Sequence, residues 1–152
     1  MNINVKETEI TRLNKLYHKL LMSNASEKLQ YPKELSSLST IDISVVNLVA
    51  ENKDIIVREI AAILSVPNST LTSSINRLEK KNLVRRLISM RDRRSFSLEL
   101  TEQGWEIQQL HLAFERSYFE AILEKLDTYE EREIFMDLID KIVTGFVTPI
   151  ES

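Results

Sequence analysis

The chain is 152 residues long, 43% hydrophobic and 28% charged, enough apolar material for one folded domain and too much for a disordered one. It holds no cysteine and only two glycines, which excludes disulfide scaffolds, thiolate metal sites, thiol nucleophiles and glycine-rich phosphate loops. A formal net charge of −3 argues at face value against a nucleic-acid partner, and three prolines beside two glycines leave few tight turns, so helices should dominate.

The chain opens without a basic, apolar leader, and no apolar stretch approaches the roughly 18 residues of a membrane span. A soluble, cytoplasmic protein with no membrane partner is expected. Ile10, Leu13, Leu16, Tyr17, Leu20 and Leu21 recur at three- and four-residue spacing and predict an amphipathic helix over 5–30. Tyr31-Pro32 closes it, because the residue before a proline is driven from helical geometry. Thr40 is the expected N-cap of a second helix that runs to Asn52 and buries Val45, Val46, Leu48 and Val49. A third helix is expected over 56–66. After the Ser65-Val66-Pro67 break, a fourth spans 68–81 and hides Leu71, Ile75 and Leu78. Asn82 suits the left-handed residue that ends many helices.

The period then changes. Residues 83–89 are rich in branched side chains, and 95–100 alternate, with Ser95, Ser97 and Glu99 on one face and Phe96, Leu98 and Leu100 on a buried one. Between them Met90-Arg91-Asp92-Arg93-Arg94 suits a hairpin tip. Thr101 starts a long helix to Leu126, and a last helix covers 128–146. The order α-α-α-α-β-β-α-α is a mainly α (α+β) fold whose middle is a winged helix-turn-helix.

Charge is distributed unevenly along this order. Residues 53–94 hold ten basic side chains and four acids, a net of +6, and the rest of the chain carries −9. Most of the acid lies beyond Ser97, where thirteen acids face four basic residues. A basic segment inside an acidic chain is the footprint of an anionic partner, although charge alone leaves a merely solvated face open. The fourth helix exposes Asn68, Ser69, Thr70, Thr72, Ser73, Asn76 and Arg77, and 68–75 carries no charge at all. A solvated helix would more often show Lys and Glu pairs; short hydrogen-bonding side chains let a helix sit deep in a major groove. Asn and Arg can read adenine and guanine edges, and a helix N-terminus favours phosphate. The expected wing set is Arg86, Arg91, Asp92, Arg93 and Arg94. Arginines crowded on a turn suit the negative potential of a narrow minor groove, with Asp92 orienting one of them or capping the turn.

These stretches resemble the MarR family of bacterial transcription regulators. Ile60-Ala61-Ala62-Ile63-Leu64-Ser65-Val66 is similar to the first helix of its helix-turn-helix. Ser69-Thr70-Leu71-Thr72, followed by residues 77–86, is similar to its recognition helix and the start of its wing. Asp92-Arg93-Arg94 and Leu100-Thr101-Glu102-Gln103-Gly104 match its wing motif, Asp-x-Arg and then Leu-Thr-x-x-Gly. Two positions depart from it: Asn82 stands where glycine is usual, and Pro67 where a serine-type cap is common. The resemblance implies one domain over 1–152, with helical dimerisation regions at 5–52 and 102–147 and a DNA-binding lobe at 53–101. It also implies a homodimer with interlaced terminal helices, a minor-groove role for Arg94 and a supporting one for Asp92. The expected function is that of a repressor on a pseudo-palindromic operator, released by a small aromatic or lipophilic effector. Trp105, Tyr118, Phe114 and Tyr17 are candidates for such a pocket, against the simpler reading of core aromatics.

A competing reading is a winged-helix protein-interaction module that docks its basic wing on an acidic partner. An enzyme is not expected, since no nucleophile–base pair or phosphate loop is visible. His18 and His111 lie on separate helices, so neither metal nor cofactor is expected.

Overall fold

Six helices and one two-stranded antiparallel sheet follow each other among the described residues: α1 (Glu7–Met22), α2 (Thr40–Glu51), α3 (Val57–Leu64), α4 (Asn68–Lys80), β1 (Val84–Ile88), β2 (Phe96–Leu100), α5 (Glu102–Leu123) and α6 (Tyr129–Phe146). The structure, a computed structural model, describes residues 4–22 and 31–146. The part of the first helix expected over 23–30, the Leu21 side chain and residue 147 lie outside the described residues. The chain divides into two compact units, one up to Phe114 and one from Glu115.

In the first unit, local chemistry sets each boundary. Ser39, one residue before the expected Thr40, caps α2. Its Oγ accepts from Asp42 N at 3.2 Å while Asp42 Oδ2 accepts from Ser39 N at 2.9 Å, a capping box that Thr40 could not close. α3 starts with only the returning half of that device, Glu59 Oε2 accepting from Ile56 N at 3.0 Å with no side-chain cap from Ile56, and ends at Ser65 in the left-handed conformation. Pro67 then leads directly into α4, donating nothing and accepting from Leu71 N at 3.1 Å. Asn82 does take the left-handed geometry, at φ 56°, so that Leu83 N reaches back to Leu78 O at 2.9 Å.

The strands pair from Val84↔Leu100 to Ile88↔Phe96. Their burial differs from simple alternation. Phe96 is 57% exposed, because the end of the hairpin runs past the core, while Ser97 is buried. Ser97 is covered because Ile56 bridges it as a third, one-residue strand and Leu98 N donates to Ile55 O at 3.1 Å. Val45, Val46 and Val49 of α2 share one core with Ile60, Leu71, Ile75, Leu78, Leu83, Val84, Leu98 and Leu100. α2 therefore belongs to the interior of the winged lobe, Leu48 is only partly buried there, and Ile63 of α3 faces out. Thr101 links the wing to α5: its Oγ1 donates to Asn82 O at 2.5 Å and accepts from Gly104 N at 3.0 Å. On α1 the predicted stripe is present but exposed: Ile10, Leu13, Leu16, Tyr17 and Leu20 are all uncovered within the chain.

In the second unit Thr128 caps α6, accepting from Glu131 N at 3.1 Å while Glu131 Oε2 accepts from Thr128 N at 3.2 Å. No residue of α6 is buried; Ile134, Leu138, Ile142 and Phe146 form an exposed apolar row.

Candidate nucleic-acid interface

The exposed side of α4 begins with an N-terminus that no side chain caps and that carries no acid in its first turn. Its first N–H groups and the positive end of its dipole therefore face outward unopposed. Asn68, Ser69, Thr72, Ser73 and Asn76 are exposed and Thr70 is half-buried. Ser73 Oγ donates to Ser69 O at 2.9 Å, leaving its lone pairs to accept from a ligand. Leu71, Ile75 and Leu78 fill the core as predicted, and Ser74, a residue not singled out in the sequence, is buried with them.

The basic residues separate into bonded and unbonded sets. Arg77 turns its guanidinium toward α2, donating from Nη2 to Asp42 Oδ1 at 2.9 Å and from Nε to Oδ2 at 3.4 Å. The guanidinium that the sequence offered as a base reader is thus held by Asp42, with the side chain still partly exposed. Arg86 stands on β1 away from the tip and donates to Asn76 Oδ1 at 2.9 Å, with Glu79 3.3 Å away. Asn76 keeps its amide donors free of that bond. Arg85 pairs with Glu99.

Arg91 is pulled back from the tip. Its Nη2 donates to Glu59 Oε2 at 2.7 Å and to the Asp54 carbonyl at 2.8 Å. The Asp54 carboxylate accepts from Ser89 Oγ at 3.0 Å and from Arg91 N at 3.1 Å, so the turn between α2 and α3 bolts down the wing root. Burial would raise the Asp54 pKa, but hydrogen bonds from Ser97, Ser89 and the Arg91 and Met90 amides outweigh it and hold it below the usual carboxylate range. Arg91 likewise depresses Glu59.

Asp92 caps the tip turn, the second of the two roles the sequence left open for it. It accepts from Ser95 Oγ at 2.6 Å and from Arg94 N at 3.1 Å, with Arg58 at 3.8 Å, and the Ser95 bond chiefly lowers its pKa. Among the described residues no hydrogen bond or ion pair engages the side chain of Arg93 or Arg94. The four acids of the basic segment thus each meet an arginine, and two tip arginines are left facing outward. That pairing was the missed signal: in the sequence Asp54, Glu59 and Glu79 stand only as offsets in a net charge.

Of the four aromatics considered for a pocket, Trp105, Phe114 and Tyr17 belong to the first unit and Tyr118 to the second. Trp105 is half-exposed over an open groove of about 790 Å³ beside the hairpin, lined also by Val49, Lys53, Leu87 and Leu98. Phe114 instead meets Tyr31 edge to face at 4.9 Å, Tyr118 meets Phe119 at 5.6 Å, and Tyr17 is exposed beside His18. Among the described residues no group of three or more His, Asp or Glu could hold a metal ion, and no helix is long and apolar enough to cross a membrane.

Residues 31–96 match the MarR family. The transcriptional regulator HosA of Escherichia coli O111:H- is 30% identical over 134 residues, which cover 87% of this chain and 97% of that protein. The chain belongs to the MarR family. Among solved structures, Streptococcus pneumoniae FabT in complex with DNA superposes with a TM-score of 0.73 at 23% identity, over 92% of this chain and 96% of that one. The YusO protein of Bacillus subtilis gives 0.68 at 24% identity, over 92% and 99%. The MarR winged-helix fold is thus present across the chain, and the chain is a DNA-binding transcription regulator.

Proposed function

We propose that the protein is a homodimeric, cytoplasmic repressor, without catalytic activity, that recognises a pseudo-palindromic operator. The observation that carries this reading is the uncharged, uncapped face of α4 beside a wing whose Arg93 and Arg94 are the unbonded cations of its tip. Asn68, Ser69, Thr70, Thr72, Ser73 and Asn76 enter the major groove, where their donors and acceptors meet base edges and phosphates. Arg93 and Arg94 reach the adjacent minor groove, and Asp92 shapes the turn that presents them. Arg77, Arg86 and Arg91 hold the surface in shape.

The exposed apolar rows of α1 and α6 support the dimer, because rows of this length left in water would be a liability for a monomer. Residues 53–101 supply the contacts to DNA and the terminal helices the dimer contacts. Release by a small aromatic or lipophilic effector belongs to the same proposal, supported by the apolar walls of the groove beside Trp105. A mobility-shift titration with the DNA upstream of its own coding region tests the reading. Saturable binding that survives excess unrelated DNA is expected; binding abolished by that competitor contradicts it.

A further inference from the structure

Asp42 is 1% exposed in the first turn of α2, and its carboxylate has four donors around it. Ser39 N lies at 2.9 Å, Ser74 Oγ at 2.5 Å, Arg77 Nη2 at 2.9 Å and Arg77 Nε at 3.4 Å. A carboxylate buried to this degree needs compensation, and Arg77 is its charged partner. Burial pushes its pKa up, but the bonds from Arg77, Ser74 and Ser39 prevail and keep it ionised.

Ser74 and Arg77 stand three residues apart on one side of α4, both tied to the same carboxylate. Otherwise α4 is attached to the lobe by the non-directional apolar row Leu71, Ile75 and Leu78 and, on its β1 side, by exposed bonds from Arg86 to Asn76 and Glu79. Hydrogen bonds are directional, so the Asp42 clamp limits rotation of α4 about its axis. A turn of about 20° carries a side-chain tip, about 6 Å from the axis, through about 2 Å. Such a shift breaks the fit of Ser69, Thr72, Ser73 and Asn76 to base edges, while leaving the arginines of the wing in place.

We infer that Asp42, acting through Ser74 and Arg77, is a positioning residue for the recognition helix: it sets sequence preference without touching DNA, and Arg77 acts through it. This rests on the DNA-binding reading above. Ser74 has no exposed surface, so it offers a probe that changes neither charge nor the DNA-facing side.

The test uses the full chain and two labelled duplexes of equal length, the footprinted operator and a scrambled sequence. Affinities are measured against salt for the unaltered protein, Ser74→Ala, Arg77→Lys, Asp42→Asn and the Asp42→Asn/Arg77→Lys double variant. Each single variant is expected to lower the operator-to-scrambled ratio about tenfold, the scale of one base pair's discrimination. The salt slope of Ser74→Ala and Arg77→Lys stays unchanged, and the double variant is no less selective than Asp42→Asn alone. Unchanged selectivity in Ser74→Ala and Asp42→Asn overturns the inference. So do losses from Asp42→Asn and Arg77→Lys that multiply, because Arg77 would then act on DNA itself. Melting curves accompany each variant, and if Asp42→Asn fails to fold, Ser74→Ala alone decides. A protein that shows no selectivity before substitution refutes the DNA-binding reading instead.

Discussion

Truncating Arg94 to alanine tests the DNA contact proposed for it against the structural role of Arg91 in the same turn. The Arg94 side chain has no partner among the described residues, and its backbone N–H keeps its 3.1 Å bond to Asp92 whatever side chain it carries. Stability should therefore move by no more than about 0.5 kcal/mol, the usual range for an exposed substitution. In the proposed minor-groove position the Arg94 guanidinium offsets about one phosphate charge, and one neutralised phosphate contributes about 0.9 to the slope of log K against log salt. Between 50 and 200 mM salt that is about 3.5-fold in affinity for one wing and about 12-fold for the two wings of a dimer. Arg91→Ala should do the opposite. It removes the bonds to Glu59 and the Asp54 carbonyl, so the melting temperature falls while the salt slope holds. Fluorescence anisotropy titrations at three salt concentrations, with a melting curve for each protein, give both quantities. An unchanged slope in Arg94→Ala, or a slope lost in Arg91→Ala without any loss of stability, refutes the division of the wing into bonded and free arginines.

Gly104→Ala should destabilise the protein. A Cβ there collides with the Leu83 carbonyl oxygen and stands 3.2 Å from Leu100 Cβ, so α5 must move off the wing. The gain of about 1 kcal/mol in helix propensity is outweighed by overpacking against backbone, for a net loss of about 2 kcal/mol. Equal or greater stability in urea contradicts this. Asp42, Asp54, Glu59 and Asp92 all have folded-state pKa values below their ordinary ones, so their contribution is complete above the ordinary carboxylate range near pH 4 and is lost as pH falls through it. The melting temperature should be flat between about pH 6 and 8 and fall steeply below about pH 4.5; a rise on acidification would show the sign to be wrong. Leu138→Asp combined with Ile142→Asp, in the exposed row of α6, should yield a monomer in sedimentation equilibrium. A dimer that persists removes that row from the interface.

Much of the fold was legible in the amino-acid pattern because its signals are local. The apolar spacing of Leu71, Ile75 and Leu78, the αL-tolerant Asn82 and the switch to strand alternation after it located α4 and the hairpin to within a residue or two. What escaped depended on contacts between distant segments. Ser39 rather than Thr40 caps α2 because Asp42 returns the bond, and Ser97 is buried because Ile56 lies beside it. The same holds in the site. The uncharged face of α4 and the tip arginines could be read from composition along the chain. The commitments of Arg77 to Asp42, 35 positions away, and of Arg91 to Glu59, 32 positions away, could not. Segment charge marked the region proposed to meet DNA, and only the pairing of each acid showed which cations remain unbonded there.

The most direct test of the central claim is a footprint of the protein on the DNA upstream of its own coding region, with dimethyl sulfate reporting major-groove guanines and hydroxyl radicals reporting the sugar backbone. α4 in the major groove and Arg93 and Arg94 in the minor groove predict two guanine-protected centres about one helical turn apart, related by a pseudo-dyad, each beside a protected minor-groove stretch. The minor-groove protection should vanish in Arg93→Ala/Arg94→Ala while the major-groove pattern persists. Protection that is uniform along the duplex, absent, or confined to the backbone with no guanine shielded would contradict the account.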